Sequence, residues 1–173
     1  MSEVLTQVVS IRKINPLDAE AFLELMHKID AETTFMLFEP GERTETVEGE
    51  KAYLKKMLDD PKRMIFLGED QGRLVGYIGC MADGFRRTAH VATVVIGILQ
   101  SHVGKGLGTR FFKEMEMWAR KTGLHRLELN VDDNNEAGIA LYKKMGFEIE
   151  GHKKDAKRIE ETYRDELLMA KIL

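Results

Sequence analysis

Hydrophobic positions along the chain follow helical spacing in some segments and strand spacing in others. Apolar residues at helical spacing, with caps at both ends, predict helices that run at about residues 16–30, 46–58, 107–123 and 135–146. Alternating or continuously apolar runs predict strands at about residues 4–14, 64–67, 74–81, 91–99, 127–131, 147–150 and 164–170. The last two strands flank a charged connection at residues 152–162.

The order of these elements predicts an α/β (α+β) domain. Residues 64–81 are typical of an antiparallel hairpin that turns at Gln71-Gly72. Between residues 91 and 131 the order is strand, glycine turn, helix, strand, which indicates a crossover between parallel strands. We therefore expect a mixed, mostly antiparallel central sheet of about six to seven strands with helices on both faces. With 173 residues and 43% hydrophobic residues, one domain is expected over 1–173.

Composition narrows the class of partner. The net charge of −3, from 29 acidic and 26 basic residues, gives no basic field, so we expect neither nucleic acid nor a membrane as a partner. The first residues lack the order of a signal peptide, and no run of 18 apolar residues occurs. Cys80 is the only cysteine, which excludes an internal disulfide and predicts a buried, inert thiol. These features predict a cytoplasmic protein.

Three alternating glycines, Gly104, Gly106 and Gly108, join an apolar strand to a helix. Glycine has no Cβ to hold a ligand away, and a helix that begins here leaves its first N–H groups unpaired. Such a turn binds anions, phosphate above all. The spacing excludes a P-loop, because no Gly-Lys-Ser/Thr occurs, and a Rossmann fingerprint, because Phe111 stands where its third glycine belongs.

Two blocks carry a family resemblance: Val103-Gly104-Lys105-Gly106-Leu107-Gly108 and, 27 residues beyond it, the block from Asn135 to Phe147. They resemble the GCN5-related N-acetyltransferase (GNAT) motifs Q/R-x-x-G-x-G/A and N-x-x-A-x-x-L-Y-x-x-x-G-F. The resemblance implies a splayed parallel pair of strands at the cofactor site. It also implies acetyl transfer from acetyl-CoA to a primary amine by direct attack in a ternary complex. Val103 replaces the family's leading Arg or Gln, which removes one side-chain donor but leaves the backbone cradle.

The resemblance also implies the residues of the site. Tyr142 is the expected acid for the departing thiolate, Asn135 the partner of the pantetheine arm, and the N–H of Ile98 or Leu99 the donor to the oxyanion. The predicted contacts to acetyl-CoA are Ile98, Leu99, Val103, Gly104, Lys105, Gly106, Leu107, Gly108, Thr109, Asn135 and Tyr142.

The general base and the acceptor site are less specified. Relatives carry a glutamate at the place of Thr93 or Asn130, and this chain does not. Glu128 lies on the same strand face as Asn130 and is predicted to take the proton, directly or through water; an ion pair is its other interpretation. The acceptor is predicted between residues 31–43 and the 148–168 hairpin, with Phe35, Phe38 and Glu39 as substrate-side residues. The apolar residues of 31–43 are alternatively a cover for the core.

The histidines show no metal-ligand spacing, so no metal is predicted. The acceptor is either a small molecule or a protein N-terminus, and the family resemblance makes a homodimer possible. Two other classes of function stay open at this point. One is a catalytically silent acyl-CoA-binding or regulatory module, and the other is an interaction protein that uses its apolar patch at residues 35–38.

Overall fold

A computed structural model of the chain describes residues 8–173. The helices are α1 (Ala19–Glu32), α2 (Val47–Leu58), α3 (Leu107–Lys121) and α4 (Glu136–Lys144). The strands are β1 (Ser10–Lys13), β2 (Arg63–Asp70), β3 (Arg73–Ala82), β4 (Val91–Ile98), β5 (Arg126–Asp132), β6 (Glu148–Ile159) and β7 (Thr162–Ile172). The predicted first strand began at residue 4; residues 4–7 lie outside the described residues, as does the N-terminal segment that carried the leader-peptide expectation.

The sheet confirms the predicted fold class. Its seven strands have the order β1-β2-β3-β4-β5-β7-β6, with helices on both faces. Every neighbouring pair is antiparallel except β4 and β5, which are parallel and joined through α3. Within residues 8–173 no helix has the length and apolar character needed to cross a membrane.

Each face of the sheet carries its own apolar core. On one face, α1 and α2 bury residues such as Phe22, Ile29 and Leu54 against β2 and β3. On the other face, α3 buries Phe111 and Phe112 against the sheet. The alternation of side chains along each strand divides its residues between these two cores. The central strands are therefore apolar on both faces, which explains their nearly continuous hydrophobic runs.

The parallel pair is short, and it opens into a gap. Strands β4 and β5 are paired only at Val91–Arg126, Ala92–Leu127 and Thr93–Glu128. Beyond this point β4 stays paired with β3 as far as Ile98, and β5 stays paired with β7 as far as Asp132. Because each strand remains in its outer ladder, the two diverge, and the middle of the sheet is open on the side where β4 leads into the glycine turn.

The last hairpin corrects the sequence prediction. Residues 152–159 are not a charged connection but the continuation of β6, paired with β7 to a tight turn at Glu160-Glu161. Most side chains in this part of β6 are exposed. Without a buried face, the sequence has no hydrophobic alternation to mark the strand, and the backbone ladder alone defines it.

Candidate active site

A cavity of about 390 Å³ occupies the gap between β4 and β5. Its walls come from four parts of the chain: residues 93–96 of β4, residues 130–132 of β5, Tyr142 of α4 with the helix's cap residue Asn135, and residues 35–38 of the segment between α1 and α2. The side chains that complete it are Arg43, Tyr77, Lys157 and Glu166. The gap in the sheet is thus a pocket lined by both apolar and charged groups.

Tyr142 lies in this wall, near the end of α4. It is 8% exposed, and its ring packs edge-on against Phe112 with the ring centres 5.8 Å apart. Phe147, which follows the end of α4, packs against the same ring. Burial raises the pKa of Tyr142 to about 12. The phenol therefore keeps its proton at neutral pH and is available as a donor in the gap.

The turn after β4 exposes main-chain amides, as the glycine pattern predicts. Gly104 and Gly106 have φ angles of +76° and +80°, and a Cβ built at either position meets nothing within 4 Å. Gly106 caps α3, whose first N–H to bond within the helix is that of Arg110, to the Gly106 carbonyl at 3.2 Å. The N–H groups of residues 107–109 therefore have no partner in the helix and are free to bind an anion.

Gly108 is also required by the packing of two helices. A Cβ at this position would lie 2.7 Å from Leu141, so glycine is needed here for α3 to pack closely against α4. The turn is also held from the other side: His102 contacts Asp70 at 3.1 Å and Ser101 at 2.8 Å, which connects it to the β2–β3 hairpin. Its shape is set by these contacts without a ligand.

The hydrogen bonds between β3 and β4 distinguish the two amides predicted as oxyanion donors, those of Ile98 and Leu99. The N–H of Leu99 donates to the Val75 carbonyl at 2.9 Å, so the prediction for this amide is wrong. Bonded and non-bonded pairs alternate along an antiparallel ladder, and Ile98, opposite Gly76, occupies the non-bonded position. The main-chain groups of Ile98, and by the same alternation those of Val94 and Ile96, are turned towards the gap.

Three comparisons with known proteins agree with this geometry. Residues 23–147 match the model of the acetyltransferase (GNAT) family. The chain belongs to this family. It is 31% identical over 161 residues to the spermidine N(1)-acetyltransferase of Escherichia coli (strain K12), an alignment that covers 91% of this chain and 83% of that protein. This GNAT chain is accordingly an acyltransferase, and the predicted family is confirmed.

Solved structures share the fold of this GNAT chain over nearly its whole length. The acetyltransferase of GNAT family from Streptococcus pneumoniae is 29% identical, with a TM-score of 0.92 over 95% of this chain and 99% of that one. The structure of yncA, a putative acetyltransferase from Salmonella typhimurium with its cofactor acetyl-CoA, superposes with a TM-score of 0.84 at 20% identity, over 95% and 94% of the two chains.

Of the remaining predicted residues, Asn135 lies in the wall of this GNAT cavity and Glu128 does not. Asn135 caps α4, and its side-chain oxygen accepts a hydrogen bond from the Gly138 N–H at 3.0 Å. Glu128 stands at the last paired position of β4 and β5, where the gap begins. Its carboxylate accepts a hydrogen bond from Arg126 at 3.0 Å, which is the ion pair that the sequence left open as an alternative.

Three charged residues in the cavity wall escaped the sequence analysis. Asp132 is 3% exposed and accepts a hydrogen bond from Lys157 at 2.5 Å, while its second oxygen, Oδ2, is buried with no partner in residues 8–173. Lys157 also contacts the carbonyls of Thr34 and Phe35 at 3.3 and 3.4 Å. Glu166 lies opposite Asp132 on β7. Asp132 lies two residues after Asn130 and so on the same strand face, which was the one local signal for it.

The segment between α1 and α2 divides the central cavity from an outer one. Phe35 and Phe38 line both, whereas Glu39 lines only the outer cavity, of about 720 Å³. Arg43 fixes the segment, since its guanidinium pairs with the buried Asp30 at 2.5 Å and lies 4.1 Å from the ring centre of Phe38. The predicted substrate-side residues therefore form a wall that faces two cavities.

Cys80 and one cluster of three polar side chains concern other chemistries. Cys80 is buried, as predicted, and burial raises its pKa to about 12. In the part of the chain that the structure describes, Asp133, His152 and Asp165 place one ligand atom each within 4.8 Å of one another. His152 contacts Asp165 at 2.8 Å, and none of the three lines the cavity. The hydrogen bond between the exposed His152 and the half-buried Asp165 accounts for this cluster.

Proposed function

We propose that this GNAT chain transfers the acetyl group of acetyl-CoA to a primary amine by direct attack in a ternary complex. The observation that carries the proposal is the gap between β4 and β5, which has a buried, protonated Tyr142 in its wall and lies beside the unpaired part of β4 that leads into the turn at residues 104–109. An extended cofactor arm fits such a gap, because the free main-chain groups of β4 bind it as they would bind another strand.

The two ends of the cofactor have separate partners in this proposal. The diphosphate binds the amides that follow Val103, where Gly104 and Gly106 leave room for it. The thioester reaches the gap, where the Ile98 N–H donates to the carbonyl oxygen as it becomes an oxyanion. Asn135 lines the same cavity, and the main-chain groups of Val94 and Ile96 lie further along β4, beyond Ile98 as seen from the turn.

The proposed step balances as follows. The neutral amine nitrogen attacks the thioester carbon, a C–N bond forms, the C–S bond breaks, and the sulfur takes the proton of Tyr142. A free thiol has a pKa of about 8.5, well below that of this phenol. Burial raises a thiol's pKa as well, as it does for Cys80, so a thiolate enclosed beside Tyr142 has a comparable affinity for the proton.

The amine must lose one proton, and two carboxylates are placed to receive it. Glu128 lies where β4 and β5 part, and it takes the proton through a water, since Arg126 already occupies its carboxylate. Glu166 lines the cavity itself and is the alternative acceptor. The pH dependence of kcat in the Glu128→Gln and Glu166→Gln variants separates them, because the essential base alone controls the acidic limb.

Direct transfer is favoured over an acetylated enzyme by the state of the only cysteine. Cys80 is fully buried, with a pKa of about 12, so it offers neither access nor a thiolate for acetylation at neutral pH. The acceptor we propose is a cationic amine, since acidic groups line the cavities on both sides of residues 35–38. Spermidine, the substrate named for the Escherichia coli relative, is one such amine.

The experiment is thiol release from acetyl-CoA with a panel of amines that includes spermidine, a peptide with a free N-terminus and n-butylamine. Tyr142→Phe should lower kcat by about 10²- to 10⁴-fold, the usual contribution of a positioned acid, with coenzyme A binding retained. Tyr163→Phe is the matched control, because Tyr163 is 60% exposed on β7. Tight binding of acetyl-CoA without turnover on any amine would instead identify a catalytically silent binding module.

A further inference from the structure

A cavity of about 440 Å³ lies on the α1–α2 side of the sheet and is distinct from the outer cavity described above. We call it the second cavity, and the cavity between β4 and β5 the first. The second cavity shares part of its wall with the first, since both are lined by Phe38, Arg43, Tyr77 and Val95. The two spaces therefore adjoin along these four residues. An extended molecule with one end in the first cavity has a continuous wall to follow into the second.

Glu50 lines the second cavity, and its carboxylate oxygens are open to the cavity and have no side-chain partner in the described part of the chain. Glu50, in the first turn of α2, is 6% exposed, and in residues 8–173 its carboxylate has neither a hydrogen bond nor an ion pair. Burial raises the pKa of Glu50, the nearby Glu45 raises it further, and Arg43 acts in the opposite direction. A carboxylate that faces a cavity and has no side-chain donor is free to accept a hydrogen bond from a ligand that brings one.

The charges and rings around Glu50 favour a cation as this ligand. Arg43 is neutralised by the buried Asp30, so Glu45 and Glu50 leave the cavity with a negative charge. Aromatic rings of Tyr53 and Tyr77 form part of the same wall. An ammonium group is bound well by a carboxylate next to aromatic faces, because both attract positive charge.

We propose that this second cavity binds the distal ammonium group of a diamine or polyamine acceptor while the reacting amine lies in the cavity between β4 and β5. This proposal rests on the proposed function only for the position of the reacting amine. Glu50 is then a specificity-determining residue, and the preferred acceptor has two positive charges. A monoamine of the same length reacts in the first cavity but leaves Glu50 without a partner.

The test compares 1,4-diaminobutane with n-butylamine in steady-state acetylation at saturating acetyl-CoA. The diamine should have the lower KM, and Glu50→Gln should raise the diamine's KM tenfold or more, the worth of one charge-assisted hydrogen bond. The KM of n-butylamine should not change in this variant. Glu48→Gln is the matched control, since Glu48 is exposed in the same turn of α2.

The outcomes distinguish this inference from the proposed function. An unchanged diamine KM in Glu50→Gln, or an equal rise for both amines, overturns the second subsite while leaving amine acetylation intact. If no amine is acetylated, the proposed function fails. Calorimetric titration of 1,4-diaminobutane into the protein saturated with coenzyme A then tests the subsite without turnover: loss of binding in Glu50→Gln supports it, and equal binding refutes it.

Discussion

Replacing Gly106 with alanine separates the two physical roles that this glycine combines. Its φ of +80° places it in the left-handed region, where a residue with a Cβ costs about 1–2 kcal/mol. For a chain of this size, that loss lowers Tm by about 2–8 °C. The new methyl meets no protein atom within 4 Å, so it occupies the open space above the first amides of α3. We place the cofactor's diphosphate in this space.

The expected effect on the cofactor follows from the contacts that the methyl displaces. One hydrogen bond to a charged phosphate contributes about 1.5–3 kcal/mol, so losing one raises the Kd of acetyl-CoA about 10- to 150-fold. Calorimetry gives the Kd and thermal denaturation gives Tm. Gly72→Ala is the control, since Gly72 has a φ of +75° and equally open surroundings in the β2–β3 turn. If both variants lose stability equally and bind acetyl-CoA equally well, the diphosphate does not bind at this turn.

Three further outcomes are expected. Tyr142 must be protonated to act, and its pKa is raised to about 12, so kcat should show no alkaline loss up to pH 10.5; a decline near pH 9 that Tyr142→Phe abolishes would contradict this. The raised pKa of Glu50 means that the folded state holds its proton more tightly than the unfolded chain does. Glu50→Gln should therefore raise Tm at pH 7.5, with a gain over wild type that shrinks as pH falls, and an equal gain at every pH would argue against burial as the cause. Lys157→Met strands the buried Asp132 carboxylate and should cost about 3–5 kcal/mol in denaturant unfolding; adding Asp132→Asn should recover most of that loss if the ion pair is the reason.

The sequence predicts those parts of the molecule that local patterning determines. The starts of α2 and α4, after Thr46 and Asn135, and the glycine turn before α3 lie where the sequence pattern predicts them. The far half of β6 was missed because its residues are mostly exposed, and a strand without a buried face has no period to detect.

The site required information that no single segment contains. Whether Ile98 or Leu99 offers a free N–H depends on the phase of hydrogen bonding between β3 and β4, which the composition of β4 does not reveal. Lys157 of β6 reaches across β7 to Asp132 of β5, a contact that depends on the order of strands in the sheet and not on local sequence. The sequence gives no sign that Glu50 is buried, because its burial follows from the packing of α1 against α2.

The divergence of β4 from β5 gives this sheet an edge in its interior. Exposed edges normally lie at the margins of a sheet, where they recruit strands from other molecules and promote aggregation. Here the unpaired stretch covers only the few residues after Thr93, and residues 35–38, which Lys157 ties to β5, form part of its cover. The unpaired backbone of β4 thus stays available to a ligand and is kept away from the strands of neighbouring molecules.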